Sequence, residues 1–555
     1  GESGFCRCFG ARLTGMDTSI QPNRGALIPW RPLLLGLGPA LLIGGLAVLP
    51  TLQLMWFGAT ATATTGEAVG GFWLGWWQVW ADDYLSARIT WSLVQASITT
   101  GLAAMLGIPV AWVIARWEFV GRGLLLQTLM LPFVVPTLVA AMGVLAWWGP
   151  QGLLGQWLAW DATESPWLLI AGNLFFNLCL VIRAGVAGFA SQSAAQFDVA
   201  RTLGATPWRV FWRLELPHAA PAIWGALSLV FLYCLGGFGL ALLLGGQQYA
   251  TAEVVIYTLV AHELELVLAS QLALWMLLFT GLVVGLYAWL QMRAATPRTA
   301  DIRHRKTLTA HQWMPVLGVA WVWLVCISIG LAPLAAIFVK AMIASAATWE
   351  QVATAETADA LFNTLRFSGA ALGVAVVLGV CHALVGRRFW WWRVWGLLPL
   401  MISPVMIAFG LLLLVPQWLD AWPLLVAAYA LLALPLVIQP VAQALDALPN
   451  AWADAARSLG ATPWRVWWRV TLPLVRPAVR RGAAFALATM LGEFAVTLFL
   501  SRPEWTTLTT LIYQHLGRAG RTQLESAWVL SAGLLALTLF LFWLLEEPDR
   551  KDTHA

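Results

Sequence analysis

The sequence predicts an all-α integral membrane protein of about 12 transmembrane helices, arranged as two parallel six-helix repeats. Three observations support this fold class. First, 60% of the 555 residues are hydrophobic and only 11% are charged, whereas about a quarter of the residues of a soluble globular protein are charged. Second, apolar runs of roughly 20 residues, the length that crosses a bilayer, recur along the chain. Third, residues 198–217 and 454–473 are identical at 15 of 20 positions, at a constant offset of 256.

Twelve apolar runs are long enough to span a membrane, and polar stretches divide them into two sets of six. The runs lie near 33–57, 91–115, 123–148, 167–190, 222–245, 268–292, 313–340, 364–386, 394–415, 423–444, 478–500 and 526–545. The predicted organisation is an N-terminal tail (1–32), a first unit (33–292), a polar and basic linker (293–312), a second unit (313–546) and a C-terminal tail (547–555). Residues 1–15 are expected to be disordered, or to be an upstream extension of a chain that starts at Met16.

The distribution of basic residues predicts the orientation. If both termini and both repeated stretches are cytoplasmic, 26 of the 32 Lys and Arg residues lie on the cytoplasmic side, as the positive-inside rule requires. The remaining six are Arg88, Lys340, Arg366, Arg502, Arg518 and Arg521. The net charge of +5 is therefore a topology signal, and no nucleic-acid partner is expected.

The two repeated stretches, which we call the first and second repeated loops, each predict a helix–turn–helix along the membrane surface. In each copy an aspartate is expected to cap a short helix, a glycine to end it, and a proline to start a second helix that a Leu-Pro pair ends. These residues are Asp198, Gly204, Pro207, Leu216 and Pro217 in the first loop, and Asp454, Gly460, Pro463, Leu472 and Pro473 in the second.

The same residues resemble the cytoplasmic loop of bacterial ABC-importer permeases, whose pattern is E-A-A, three residues, Gly, nine residues, Ile, one residue and Leu-Pro. Both copies have Asp in place of the family's Glu, and the first copy has Val199 in place of Ala. The matching positions are Asp198, Val199, Ala200, Gly204, Leu214, Leu216 and Pro217, and Asp454, Ala455, Ala456, Gly460, Val470, Leu472 and Pro473.

The resemblance implies a function and its partners. In that family the loop docks into a cleft of an ATP-hydrolysing subunit, so the matching residues are expected to couple transport to the ATPase. The implied partners are two copies of the ATPase subunit, which use ATP and Mg²⁺, and a periplasmic substrate-binding protein. The implied location is the bacterial inner membrane, with both termini in the cytoplasm. Two units in one chain look most like the thiamine and ferric-iron permeases.

Candidate pathway residues come from two further features. Each unit contains a proline-broken span, with Pro132 and Pro136 in the first and Pro399 and Pro404 in the second, and such breaks are tolerated where they face protein or a wet cavity. Glu493 is a carboxylate within a predicted span, where the first unit has Gly237. Because an intramembrane carboxylate is costly, Glu493 is expected either to face a cationic solute or to bond to a neighbouring helix.

Acidic residues dominate the predicted outer loops, among them Glu253, Glu504 and Glu525, and this favours a cationic solute. The depletion of Lys and Arg outside a membrane explains the same excess. Together with the resemblance, the charge favours thiamine first and ferric iron second.

The chain carries no motif for its own energy source. No lysine follows a glycine, which excludes a phosphate-binding loop, and no zinc-protease or nucleophile-elbow motif occurs. No catalytic residue, resident cofactor or metal site is therefore expected in this chain. Two other classes stay open as alternatives: a secondary transporter, which also commonly has six plus six spans, and a membrane enzyme.

Overall fold

The computed structural model describes residues 31–64, 71–158, 165–192, 194–293, 306–307, 313–418, 421–500 and 502–545. The predictions for residues 1–15, for most of the linker and for the C-terminal tail lie outside the described residues.

Ten helices of the described part are long and apolar enough to cross a membrane, and a bent pair brings the number to eleven. The ten are Leu34–Gly58, Asp83–Arg116, Thr137–Trp157, Trp167–Ala190, Pro207–Leu235, Leu266–Leu290, Trp313–Met342, Ala355–Gly386, Trp422–Ala447 and Arg521–Leu545. The pair is Trp391–Leu400 and Pro404–Leu414, which are bent by 92° at the second proline break.

Shorter helices connect or interrupt these spans. They are Gly71–Ala81, Arg122–Thr128, Leu131–Val134, Ala194–Thr202, Phe238–Leu244, Ala252–Thr258, Ala346–Val352, Asn450–Ser458, Ala495–Leu500 and Leu508–Leu516. Five helices contain a π-helical turn, at Gly44–Val48, Phe211–Glu215, Leu259–Glu263, Cys326–Leu331 and Trp467–Thr471.

The predicted span near 478–500, the eleventh in chain order, is not among the helices long and apolar enough to cross a membrane. The chain there forms two helices, Leu472–Leu491 and Ala495–Leu500. The first of them carries Arg476, Arg480 and Arg481, so it is less apolar than its counterpart in the first half of the chain.

The described part contains one small element of β structure, a parallel pairing of Trp117–Glu118 with Lys306–Thr307. Residues 306–307 belong to the linker and residues 117–118 follow the end of the helix Asp83–Arg116. The end of that helix and the linker therefore lie on the same side of the structure.

Matching glycines show that the same helix packing is built twice. Asp83–Arg116 packs against Trp167–Ala190, and Ala355–Gly386 packs against Trp422–Ala447. A Cβ added at Gly107 would lie 2.9 Å from Val181 Cγ1, and one added at Gly379 would lie 2.7 Å from Val437 Cγ1. Small residues at these positions let the helix backbones approach closely, as is common in membranes.

The two halves interlock through their first spans. The segment Ala332–Met342 packs on Thr137–Trp148 of the first half, and Leu49–Thr64 packs on Pro404–Leu414 of the second half. Each half therefore completes the core of the other, and most of the buried apolar residues form one continuous cluster.

Candidate functional site

The first repeated loop is a short helix, a glycine turn and a second helix. The helix Ala194–Thr202 ends two residues before Gly204, whose φ of +78° is left-handed and favours glycine. The Thr206 hydroxyl accepts a hydrogen bond from the Arg209 amide at 3.4 Å, and Pro207 occupies the first turn of the next helix. The glycine turn and the proline start are as the sequence predicts.

The second repeated loop has the same geometry. The helix Asn450–Ser458 is followed by Gly460 with a φ of +82°. The Thr462 hydroxyl accepts a hydrogen bond from the Arg465 amide at 3.4 Å, and Pro463 starts the second helix. The repeat in sequence is therefore also a repeat in backbone conformation.

The predicted role of Asp198 and Asp454 as helix caps is wrong. The first helices begin at Ala194 and Asn450, four residues earlier, because good helix formers precede each aspartate. The aspartates, together with Ala200, Ala455 and Ala456, lie inside these helices. Asp454 instead accepts a hydrogen bond from Arg457 at 3.1 Å on the exposed surface.

The prediction that the Leu-Pro pairs end the second helix is also wrong. A π turn at Phe211–Glu215 leads directly into the helix Leu216–Leu235, and Trp467–Thr471 leads into Leu472–Leu491 in the same way. Each proline sits in the first turn after the π turn, where the change of hydrogen-bond register accommodates its missing N–H. Each repeated loop is thus continuous with the long helix that follows it.

The loops expose large apolar side chains that sequence reasoning overlooked. Leu203 and Leu459 are 81% and 89% exposed, and Trp208 and Trp464 are both 69% exposed. Trp208 stacks edge-on with Trp212 and Trp464 with Trp468, each at a centroid distance of 5.5 Å. These leucines and tryptophans occupy matching positions and are identical in the two copies of the repeat. That identity is the sequence feature that could have indicated a shared contact surface.

A buried carboxylate anchors the first repeated loop. Glu215, which is 3% exposed, accepts hydrogen bonds from Trp112 Nε1 and from the Arg116 guanidinium at 3.2 Å. Its backbone carbonyl accepts a hydrogen bond from Gln192 Nε2 at 2.7 Å. The loop is therefore fixed to the end of the helix Asp83–Arg116.

The second repeated loop is anchored by different residues. Arg387 donates to Asn450 Oδ1 at 2.6 Å, at the start of the loop's first helix. Arg393 forms a bidentate pair with Asp446, with both distances 2.8 Å. At the position of Glu215 the second loop has Thr471.

The helices that start at the loops break at matching glycines where the two halves meet. Leu216–Leu235 stops at Gly236, and Leu472–Leu491 stops at Gly492. A Cβ added at Gly492 would lie 2.6 Å from Pro136 Cα, and one added at Gly236 would lie 3.8 Å from Ser403 Cβ, beside Pro404. The glycine break of each half therefore packs against the proline break of the other.

The structure brings only some of the predicted pathway residues together. Pro136, Pro404 and Glu493 all lie at this interface between the halves. Pro132 contacts the other half at a different place, near Gly330, and Pro399 is buried in a short 3₁₀ turn, Leu398–Leu400.

Aromatic rings fill the interface next to the glycine breaks. Phe238 and Phe494 stack across it at 6.0 Å between centroids, and Tyr257 packs on Phe499 of the other half at 5.2 Å. Within the halves, Phe238 contacts Tyr257 and Phe494 contacts Tyr513, at 5.5 and 5.1 Å. We refer to these five residues as the ring cluster.

Glu493 lies beside the ring cluster and is half-buried. Its Oε1 accepts a hydrogen bond from the Val496 amide at 3.1 Å, and its carbonyl oxygen accepts one from Thr509 Oγ1 at 3.1 Å. The side-chain bond caps the helix Ala495–Leu500.

A second carboxylate at the interface was misplaced by sequence reasoning. Glu253, predicted in an outer loop, is fully buried, and its Oε2 accepts a hydrogen bond from Ser403 of the other half at 2.7 Å. Its Oε1 has no partner in the described part of the chain. The position 256 residues later is Thr509, so each half contributes one carboxylate that the other lacks. Its burial could have been inferred from the sequence, because Glu253 is the single charged residue of the apolar stretch AEVVIYTLV.

Glu525, another acid predicted outside, is also buried. It accepts hydrogen bonds from Arg521 Nε and Thr348 Oγ1, each at 2.8 Å. In the described residues no group of three or more His, Cys, Asp or Glu side chains could hold a metal ion.

Comparison with known proteins assigns the fold and the repeated loops to one family. The model of the binding-protein-dependent transport system inner membrane component family matches residues 103–301 and again 371–550. The thiamine transport system permease protein ThiP of Haemophilus influenzae is 27% identical over 530 residues, covering 90% of this chain and 94% of that protein. The protein of the same name from Escherichia coli is 26% identical over 527 residues, covering 89% and 96%. The sulfate transport system permease protein CysW of Synechocystis is 34% identical over 177 residues, covering 31% and 63%.

Two halves of the same fold, each with a glycine-turn loop that runs into a long helix, define a membrane-spanning permease with both permease units in one chain. The chain belongs to the family of binding-protein-dependent transport system inner membrane components, which are ABC-importer permeases. It is a multi-pass membrane protein, and its family is one of ABC-importer permeases rather than of secondary transporters.

Proposed function

We propose that this chain is the permease of a thiamine importer and forms the whole path of the solute through the membrane. The observation that carries the proposal is the similarity, over about nine-tenths of the chain, to permeases named for thiamine transport. The sulfate permease matches less than a third of the chain.

The interface between the halves has chemistry that suits this solute. Thiamine contains two aromatic rings, one of which is a permanent thiazolium cation. The ring cluster offers aromatic faces, and such faces attract cations. Glu253 and Glu493 add a carboxylate from each half beside it. A sulfate anion would be repelled by the same two carboxylates.

The two repeated loops are the docking sites for two copies of one ATPase subunit. Support comes from their matching backbone turns and from the matching exposed side chains Leu203, Leu459, Trp208 and Trp464. Exposed apolar side chains in a polar loop are typical of an interaction surface. The ATPase would use the ATP and Mg²⁺, and both loops and both termini would lie in the cytoplasm. A periplasmic binding protein would deliver the solute at the opposite face.

The continuity of loop and helix suggests how ATP drives the movement. A displacement of the first repeated loop would pass along Leu216–Leu235 as a rigid body to the glycine break and the ring cluster. The second loop would act through Leu472–Leu491 in the same way. In the present structure the stacked rings close the interface, and separating the halves would open it.

The test is uptake by proteoliposomes that contain this chain with the ATPase and the binding protein of its own organism. Labelled thiamine, ferric iron and sulfate are supplied separately, with ATP or a non-hydrolysable analogue inside. We expect ATP-dependent uptake of thiamine alone. Uptake of ferric iron or of sulfate without uptake of thiamine would contradict the proposed solute, and uptake with the analogue would contradict ATP-driven transport.

A further inference from the structure

A cavity separate from the ring cluster lies between the two halves, at the end of the helix Trp313–Met342. It has a volume of about 640 Å³. Its lining comes from Gln151 and Gln156 of the first half and from two helices of the second half, which contribute Lys340, Arg521, Glu525 and Trp528. By the orientation proposed above, this cavity lies on the periplasmic side of the membrane.

Lys340, the one lysine of the described membrane helices, is only 6% exposed and lines this cavity. Its Nζ donates a hydrogen bond to the Gln151 carbonyl at 2.6 Å and lies 5.0 Å from the centre of the Trp528 ring. These contacts leave two of its three N–H donors for another ligand. Within the described residues no carboxylate lies at ion-pair distance from Lys340.

The acidic residue that lines the same cavity, Glu525, already has hydrogen-bond partners of its own. Glu525 accepts hydrogen bonds from Arg521 Nε at 2.8 Å, from the Ser345 amide at 3.2 Å and from Thr348 Oγ1 at 2.8 Å. The Arg521 side chain is nonetheless 90% exposed, so its terminal guanidinium nitrogens can contact a second anion. A buried ammonium without a counter-ion is costly, and an anion in the cavity would remove that cost.

The surroundings of the cavity indicate what kind of anion fits. On the same helix as Lys340, Val339 and Met342 are 41% and 81% exposed, and Ile343 at its end is 65% exposed. Trp157, next to the lining residue Gln156, is 81% exposed, and exposed tryptophans favour the headgroup region of a membrane. A phosphate joined to acyl chains would satisfy both the cations and this apolar surface, whereas a free anion or a protein carboxylate would leave the apolar surface uncovered.

The distribution of basic residues in the sequence also favours an anionic lipid at this cavity. Among the six basic residues that fall outside the predicted cytoplasmic regions, Lys340, Arg518 and Arg521 lie at or beside this cavity. We propose that the cavity is a binding site for an anionic phospholipid of the periplasmic leaflet, with the lipid phosphate held by Lys340 and Arg521.

The test measures lipid binding to the purified full-length chain by native mass spectrometry. The probes are phosphatidylglycerol, phosphatidylcholine of the same acyl chains, and inorganic phosphate. The variants are Lys340→Met, Lys340→Arg and Arg521→Gln, and the control is Arg366→Gln, an exposed basic residue outside the cavity. Monodispersity and thermal unfolding establish that each variant is folded.

We expect the wild-type chain to bind phosphatidylglycerol about tenfold more tightly than phosphatidylcholine, the factor that one charge-assisted contact supplies. Lys340→Met and Arg521→Gln should lower that preference, and Lys340→Arg and Arg366→Gln should keep it. Equal binding of the two lipids by the wild type would overturn the proposal, as would an unchanged preference in both Lys340→Met and Arg521→Gln. Displacement of the lipid by millimolar inorganic phosphate would also overturn it, because the site would then be one for a free anion.

Discussion

Phe238 and Phe494 stack across the interface between the two halves, with ring planes only 20° apart and centroids 6.0 Å apart. They are separated by 256 residues, the same offset as the repeated loops, so equivalent residues of the two halves are in contact with each other. Each follows the break at which the helix from its own loop stops. A movement of either loop would therefore be delivered to this pair.

Truncating the ring pair should loosen the closed interface. We expect Phe494→Ala and Phe238→Ala each to lower folding stability by about 3 kcal/mol, the usual scale for a buried phenylalanine. They should also raise ATP hydrolysis in the absence of binding protein, because the closed state would be less favoured. The matched control is Phe540→Ala, since Phe540 is 56% exposed. ATPase rates as low as those of the wild type in both variants would contradict a closing role.

Neutralising Glu493, the half-buried carboxylate at the interface, should slow the transport of a cationic solute. We expect Glu493→Gln to lower thiamine uptake about tenfold, which corresponds to roughly 1.4 kcal/mol of lost attraction. The cap on the Val496 amide should survive, because a glutamine oxygen also accepts hydrogen bonds. The comparison is Glu504→Gln, an exposed outer acid. Undiminished uptake by Glu493→Gln, with normal expression, would leave Glu493 a purely structural residue.

The left-handed glycine turns offer a test of whether the repeated loops couple ATP hydrolysis to transport. Gly204 and Gly460 have left-handed φ values, and an added Cβ at either would meet no atom within 4 Å. Valine should therefore disturb only the backbone, at roughly 1–2 kcal/mol per site, and asparagine should be tolerated. We expect Gly204→Val/Gly460→Val to abolish ATP-driven uptake while membrane insertion persists, and the Asn pair to retain it. Normal uptake by the Val pair would show that these turns are not needed for coupling.

The two repeated loops are anchored by different residues, which predicts that substitutions at the matching positions Glu215 and Thr471 have unequal effects. Glu215→Ala removes the carboxylate that Trp112 and Arg116 contact. We expect it to lower the free energy of unfolding by about 3 kcal/mol, as when one partner of a buried ion pair is removed. Thr471→Ala, at the equivalent position, should change the thermal unfolding temperature little. Equal shifts for the two variants would indicate that the two loops are held in the same way.

The sequence was most informative where the repeat doubled the signal. It predicted the fold class, the two glycine turns and the proline starts of the second helices, because these follow from local backbone rules. It failed where contacts between distant segments decide the structure. The sequence predicts that Glu253 lies in an outer loop, whereas in the structure it is buried and bonded to Ser403 of the other half. The Leu-Pro pairs look like helix ends because sequence does not reveal the π turns that absorb them.

The ring cluster could not be found from sequence for a similar reason. The match of Phe238 with Phe494 was visible as a repeat, but their mutual contact depends on how the two halves interlock. The ATPase-coupling role of the loop residues stays a prediction.

The most direct test of the account is the mass of the assembled complex. If one chain supplies both halves and both loops dock the same ATPase, the detergent-solubilised complex should contain one copy of this chain and two copies of one ATPase subunit. The measurement is native mass spectrometry of the complex purified by a tag on this chain, with Gly204→Val/Gly460→Val as a comparison. A complex with two copies of this chain, with a single ATPase, or with two different ATPases would contradict the account.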